Sequence, residues 1–273
     1  MIKSVFITHN YKMDIKELQV TVDNVTKKNH PWEYARFKII IDIVKKYLKK
    51  NSGRSVLDIG CGDVFFLTKF ADKYPEFELI GVDIAFNQEI ISEIISQNSK
   101  YKIRLFNNIH NITNLNEASI IFLMDVIEHI ENDVDFLKDL ISQDYIGQNT
   151  IVVITTPAFN TLYCNHDKWL GHYRRYSHAL LKKHIEAADF SYIGGGYFFT
   201  SLLFPRCIQK LIEKFKKDIN IKNQGIGNYK GGTVRSILYE KILLLDFYFF
   251  KIFRVFGIRV PGLSTYVICK KQL

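Results

Sequence analysis

The polarity pattern changes character twice along the 273 residues. Residues 1–29 are polar and mixed, with no clear period. Pro31 then opens a helical pattern, a first position that suits proline. Trp32, Ala35, Ile39, Ile43 and Tyr47 recur with Ile40, Val44 and Leu48 at helical spacing, up to Asn51-Ser52-Gly53. From Ser55 short apolar runs alternate with amphipathic stretches. Strands are predicted at 55–60, 78–83, 104–109, 119–125 and 150–156, and helices at 64–74, 87–97 and 133–145. Near-continuous apolar strands separated by helices predict a parallel sheet buried on both faces, a doubly wound α/β core. Beyond Pro157 come a polar, aromatic connection to Tyr176, a helix over 177–188 and a strand near 191–193. Residues 198–260 lose the rhythm and read as an aromatic, basic helical insertion or cap, before a last strand over 264–270. The division expected is 1–50, an N-terminal segment with its helix; 51–197, a nucleotide-type binding core; 198–260, the cap; and 261–273, the last core strand.

Composition narrows the class. The chain is 47% apolar and 24% charged, with 15 glycines and 5 prolines, which excludes collagen-like and low-complexity proteins. Four cysteines stand apart, and no His/Cys cluster has zinc-ligand spacing, so neither a disulfide scaffold nor a metal is expected. Residues 1–10 lack the apolar stretch of a signal peptide. The longest uncharged run, Phe190 to Pro205, is interrupted by three glycines, so a cytoplasmic protein is expected, with peripheral membrane contact left open. Net charge is +9, unevenly spread: +6 over residues 1–50, −9 over 51–150 and +12 over 151–273.

The first strand ends in Asp58-Ile59-Gly60-Cys61-Gly62-Asp63 and a helix follows. Glycines there let the backbone turn sharply beside a bound group. Asp83 closes the next strand, where a carboxylate accepts hydrogen bonds from ribose hydroxyls. Ile84 follows it. A dinucleotide fingerprint requires glycine at position 65, which is Phe65 here. Asp58 and Asp63 put negative charge beside the loop, which suits a cationic ligand better than a pyrophosphate.

The residues Val56–Gly62, Ile80–Asp83 and Met124–Ile130, in this order and spacing, resemble the class I S-adenosylmethionine-dependent methyltransferases. The resemblance spans roughly residues 31–195 and the last strand. It implies a Rossmann-like seven-stranded sheet with an antiparallel last strand. It puts Gly60 and Gly62 at the methionine part of S-adenosylmethionine, Asp83 on the ribose, and Asn107 or Asn108 at the adenine. Val64 departs from it, since glycine is usual there. A second resemblance rests on Pro157-Ala158, Trp169 and Gly171-His172-Tyr173-Arg174-Arg175-Tyr176. These look like a bacterial subgroup with a PA…W…GHxRRY signature, associated with glycan or other secondary biosynthesis. The subgroup supports Arg36 as a partner for the cofactor carboxylate.

The site then expected comprises Arg36, Asp58, Gly60, Gly62, Asp83, Ile84, Asn107, Asn108 and Asp125 for the cofactor. His129 and His172 are candidate bases, both past carboxyl ends of strands. Trp169, Tyr173, Arg174, Arg175 and Tyr176 are candidates for the acceptor, with loop-holding roles for the arginines and core or lid roles for Trp169 and Tyr176 as alternatives. The acceptor expected is a small molecule, a glycan or a lipid-linked intermediate, methylated on oxygen or nitrogen. The alternatives are an RNA methyltransferase, a nucleotide-dependent oxidoreductase and a non-catalytic relative. Nucleic acid is disfavoured as a partner because no RNA-binding module is recognisable; a homodimer is left open.

Overall fold

A computed structural model describes residues 30–48, 54–215 and 232–272. The polar segment read at 1–29, the helix end at Asn51-Ser52-Gly53 and residues 216–231 of the basic stretch expected over 198–260 lie outside the described residues. Seven strands form one sheet: β1 (Ser55–Ile59), β2 (Glu78–Val82), β3 (Ile103–Phe106), β4 (Ile120–Met124), β5 (Ile151–Pro157), β6 (Phe190–Phe198) and β7 (Ser264–Lys271). Their spatial order is β3-β2-β1-β4-β5-β7-β6. β1 to β5 are parallel, and β7 runs antiparallel between β5 and β6. Helices α1 (Pro31–Leu48), α2 (Phe65–Lys73), α3 (Gln88–Gln97), α4 (Asp133–Ile141), α5 (Asn165–Leu170), α6 (His178–Ala187), α7 (Leu203–Phe215) and α8 (Thr233–Phe253) complete the chain.

Alternate residues of the central strands feed two cores. Val56, Phe122 and Val153 join Ile39 and Ile40 of α1, Phe70 of α2 and Phe247 of α8 on one face. Leu57, Leu123 and Ile154 join Leu140 of α4 and Ile185 of α6 on the other. Each such side chain contributes about 1.5–3 kcal/mol by leaving water. β1 connects outward to β2, whereas β4 starts the opposite wing, so the crevice beyond their carboxyl ends is the switch point where ligands bind in this architecture.

Three boundaries differ from expectation. The third strand stops at Phe106 because the Asn108 side chain accepts from the His110 amide at 3.0 Å and starts a turn. The helix expected to reach Tyr145 ends at Ile141, where Ser142 and Gln143 side chains donate to the Asp139 carbonyl. The strand expected near 191–193 runs from Phe190 to Phe198, straight through the three glycines. A Cβ on Gly195 would lie 2.4 Å from both the Tyr266 carbonyl oxygen and the His178 ring. Bareness there lets β7 and α6 pack closely.

His178 is buried where α6 meets β6, 3.1 Å from the Tyr192 hydroxyl. Burial, with Arg259, Arg254 and Lys182 nearby, pushes its pKa down to about 4 from 6.5. The unfolded chain therefore takes up this proton first as the pH falls. Its share of stability is full above 6.5 and lost towards pH 4, about 2–3 kcal/mol at pH 4.5. Urea denaturation at pH 7 and 4.5 checks this: wild type should show that loss, and His178→Gln should lack it.

Candidate active site

The loop after β1 folds by left-handed backbone. Gly60 has φ 77° and Gly62 φ 51°. A Cβ on Gly60 would meet Val126 at 2.6 Å, so only glycine fits under the neighbouring strand's loop. The amides of Gly60 and Cys61 donate to the Val82 carbonyl at 2.7 and 3.2 Å. Val64, which replaces a usual glycine, also adopts φ 58° and is fully buried. The loop keeps its left-handed path at a cost of about 1–2 kcal/mol for a residue with a Cβ.

Asp83 joins the two strand ends. Its Oδ2 accepts from the Gly62 amide at 3.0 Å and its Oδ1 from the Ala85 amide at 2.9 Å. Asp125, also left-handed at φ 56°, accepts from Arg36 at 2.6 Å and from the Thr155 hydroxyl at 3.3 Å. These ends line a solvent-open cavity. Its wall includes Gly60, Asp83, Ile84, Asn107, Asn108, Asp125 and His129, with Val82, Val126 and Phe136 supplying apolar surface.

Gly62, Arg36 and Asp58 are not on that wall. Arg36 lies between two acids: its two terminal nitrogens bond Glu33 at 2.7 Å and Asp125 at 2.6 Å, so it is a counter-ion to Asp125. Asp58 is 1% exposed, and neither oxygen has a hydrogen-bond partner. Burial, augmented by Asp83 and Asp63 and opposed by Arg36, holds its pKa well above the usual carboxylate range. Asn108 uses its carbonyl to start the turn, and Asn107 accepts from Asn111 at 3.0 Å.

The second half of the site comes from the 157–176 loop. The Tyr173 amide donates to the Glu128 carbonyl at 2.7 Å, which brings His172 against His129 with ring centroids 4.6 Å apart. His172 Nδ1 lies 2.9 Å from Asp167 Oδ1. A proton on Nδ1 satisfies that pair and leaves Nε2 to accept; this tautomer is assigned from the bond. Asp167 also accepts from Arg175 at 2.7 Å, Arg206 at 3.1 Å and the Cys164 amide at 2.9 Å. Burial alone would raise its pKa, but the His172 and Arg175 contacts hold it below the usual range.

Arg174, Arg175 and Tyr176 hold this loop rather than facing the cavity. Arg174 pairs with Asp133 at 2.9 Å and donates to the Ile130 and Glu131 carbonyls. Arg175 is buried on Asp167. Tyr176 is fully buried and donates to Asp133 at 2.6 Å. Trp169 is half-buried, stacked on His166 at 5.8 Å, and Tyr173 is exposed. None of the five lies on the cavity wall.

Sequence reasoning missed Asp167 and Glu128. Glu128 is fully buried, and neither of its carboxyl oxygens has a hydrogen-bond partner. Burial, with Asp125 adding, raises its pKa well above the usual range. Ligand atoms of Glu128, His129 and His172 lie within 4.8 Å of one another, a donor set able to hold a divalent cation. Residue spacing gave no sign of it, because His172 reaches the other two only through the folded loop.

Residues 32–193 match the family described as Methyltransferase domain. A tRNA U34 carboxymethyltransferase of Campylobacter jejuni is 28% identical over 147 residues, 48% of this chain and 50% of that protein. A ubiquinone biosynthesis O-methyltransferase of Rickettsia typhi is 27% identical over 128 residues, 46% and 50%. The chain thus spans about half the length of the curated relatives it matches. A solved structure of Haemonchus contortus phosphoethanolamine N-methyltransferase 2 with S-adenosyl-L-methionine shares the fold at TM-score 0.52 and 14% identity, covering 85% of this chain and 52% of that one. The match to the family covers more than half of the chain, over the span that builds the cavity, and the chain belongs to the family described as Methyltransferase domain.

Proposed function

We propose that this chain methylates an oxygen or nitrogen of a small-molecule, glycan or lipid-linked acceptor by direct displacement, and that residues 198–260 cover the acceptor side of the cofactor core. One observation carries the reading: Gly60, Asp83, Asp125 and His129 line one switch-point cavity, with the Asp167–His172 pair against His129.

The residues suit the cofactor. The acid-bearing wall fits a ligand with two cationic groups, and the unpartnered Asp58 carboxyl would gain from a nearby ammonium. Asp83 would take the ribose hydroxyls, Gly60 and Gly62 the close-approaching methionine portion, and Asn107 or Asn108 the adenine. Bound S-adenosylmethionine supplies a methyl group on sulfonium, whose departure requires no proton. The protein's work is then to align the acceptor and, for a hydroxyl, to remove its proton. His172 Nε2 is the base, because Asp167 fixes the opposite nitrogen as donor. His129 stands beside it as the alternate. Burial raises the pKa of Glu128, which favours the neutral form of its carboxyl next to this pair.

Calorimetry with S-adenosylmethionine, S-adenosylhomocysteine and NAD tests the cofactor: the first two should bind and NAD should not. His172→Asn should lower kcat by about 10²–10⁴-fold while cofactor affinity changes less than about twofold. An unchanged kcat with loss in His129→Asn would move the base to His129.

A second reading, RNA as acceptor, is favoured by the name of the Campylobacter relative and by the basic flanks. Absence of tRNA binding at low salt removes it.

A further inference from the structure

Helix α7 is turned inside out. Its polar face meets the protein: Arg206 bonds Asp167 at 3.1 Å, Lys210 donates to the Tyr163 carbonyl, and Glu213 accepts from the Asn165 amide at 3.2 Å. Its apolar residues face outward, with Phe204 72%, Leu211 56% and Phe215 82% exposed, and Ile208 and Ile212 between them. An amphipathic helix of a soluble domain normally does the reverse. Helix α8 packs on α1 through Ser236, Leu243 and Phe247, yet leaves Val234, Leu238, Leu245, Phe249 and Ile252 more than half exposed. Single exposed apolar residues are ordinary, but a whole helix face of them marks a contact surface.

Charge selects the occupant. Residues 198–260 hold 12 Lys/Arg against 4 Asp/Glu. The three of those acids that are described are turned inward: Glu213 on Asn165, Glu240 on Lys38 and Asp246 on the Thr200 and Ser201 amides. Arg235, Lys241 and Arg259 stay exposed. A second copy would bring the same positive charge and repel. An anionic lipid surface supplies both acyl chains for the apolar face and negative headgroups for its rim. Among the described residues no helix is long and apolar enough to cross a membrane, so the contact lies in the plane of the interface.

We propose that the outward faces of α7 and α8 seat this protein on an anionic membrane. The proposal goes beyond methyl transfer and does not depend on it. Through Arg206 and Asp167 the seated helix adjoins His172, so an acceptor held in the membrane would reach the site from that side.

The full chain is floated with vesicles of phosphatidylcholine, with and without phosphatidylglycerol. Wild type should float with the anionic vesicles. The triple variant Phe204→Gln, Leu211→Gln, Phe215→Gln should lose about tenfold or more in partitioning while its circular dichroism and S-adenosylmethionine binding stay unchanged. Arg235→Glu with Lys241→Glu should weaken binding to anionic vesicles. Wild type that stays in the soluble fraction with both vesicle types overturns the proposal, as does equal flotation with pure phosphatidylcholine. A stable dimer by light scattering that does not float overturns it in favour of a second copy on this face.

Discussion

Asp167→Ala is expected to lower stability by about 3–5 kcal/mol, a Tm loss of roughly 10 °C. One buried carboxylate accepts from Arg175, Arg206, the His172 ring and the Cys164 amide. Removing it leaves two guanidinium groups, each 10% exposed or less, without their shared counter-charge. Denaturant unfolding at neutral pH measures the loss. Its pH dependence is a second check. The folded pKa of Asp167 is depressed, so its contribution is present above the ordinary carboxylate range and is lost as the pH falls through the folded value. The gap between wild type and variant should therefore narrow in acid. A variant as stable as wild type would mean that Arg175 and Arg206 find other partners and that Asp167 does not organise the loop.

The second large effect is on the cofactor. Asp83→Ala should weaken S-adenosylmethionine binding by at least about a hundredfold, with a much smaller effect on folding. Bonds to a charged acceptor contribute about 1.5–3 kcal/mol each, and two ribose hydroxyls would lose theirs together. The same change frees the Gly62 and Ala85 amides, which now hold the loop in place. Asp83→Asn should recover part of the affinity, because an amide oxygen still accepts one of these bonds. Titration calorimetry decides: affinity within a few-fold of wild type in Asp83→Ala would remove this carboxylate from the site.

The parallel half of the sheet was legible because it is written locally. β1 and β4 are buried along their whole length and β5 in all but its last residue, so their apolar runs stand out, and the Gly60–Gly62 turn lies between a strand and the helix it feeds. Asp83 follows from the same logic one strand later. The acceptor side was less legible because its chemistry depends on contacts between distant segments. Glu128 and His172 meet only because the Tyr173 amide bonds back to the Glu128 carbonyl. Arg175 and Tyr176 carry polar groups that suit a ligand equally well, and only their burial on Asp167 and Asp133 shows that they hold the loop. The glycines of β6 looked like an interruption, since a missing side chain does not reveal the neighbour that needs the space. Residues 198–260 were legible only as an aromatic, basic helical stretch, because the pattern does not say which face of α7 meets the Asp167 loop.

The pairing of β6 with β7 bears on how such a protein diversifies. Phe198 and Ser264 are opposite each other at adjoining strand ends, so the chain leaves the sheet and re-enters it at one doorway. The described residues 199–215 and 232–263 lie between these two strand ends in the chain, and α8 among them returns to the core against α1. Natural or designed exchange of this excursion would separate the proposed acceptor cover and membrane face from the strands whose ends line the cavity. The α8 residues Leu243 and Phe247, which reach into the core against α1, are the positions such a graft would have to preserve.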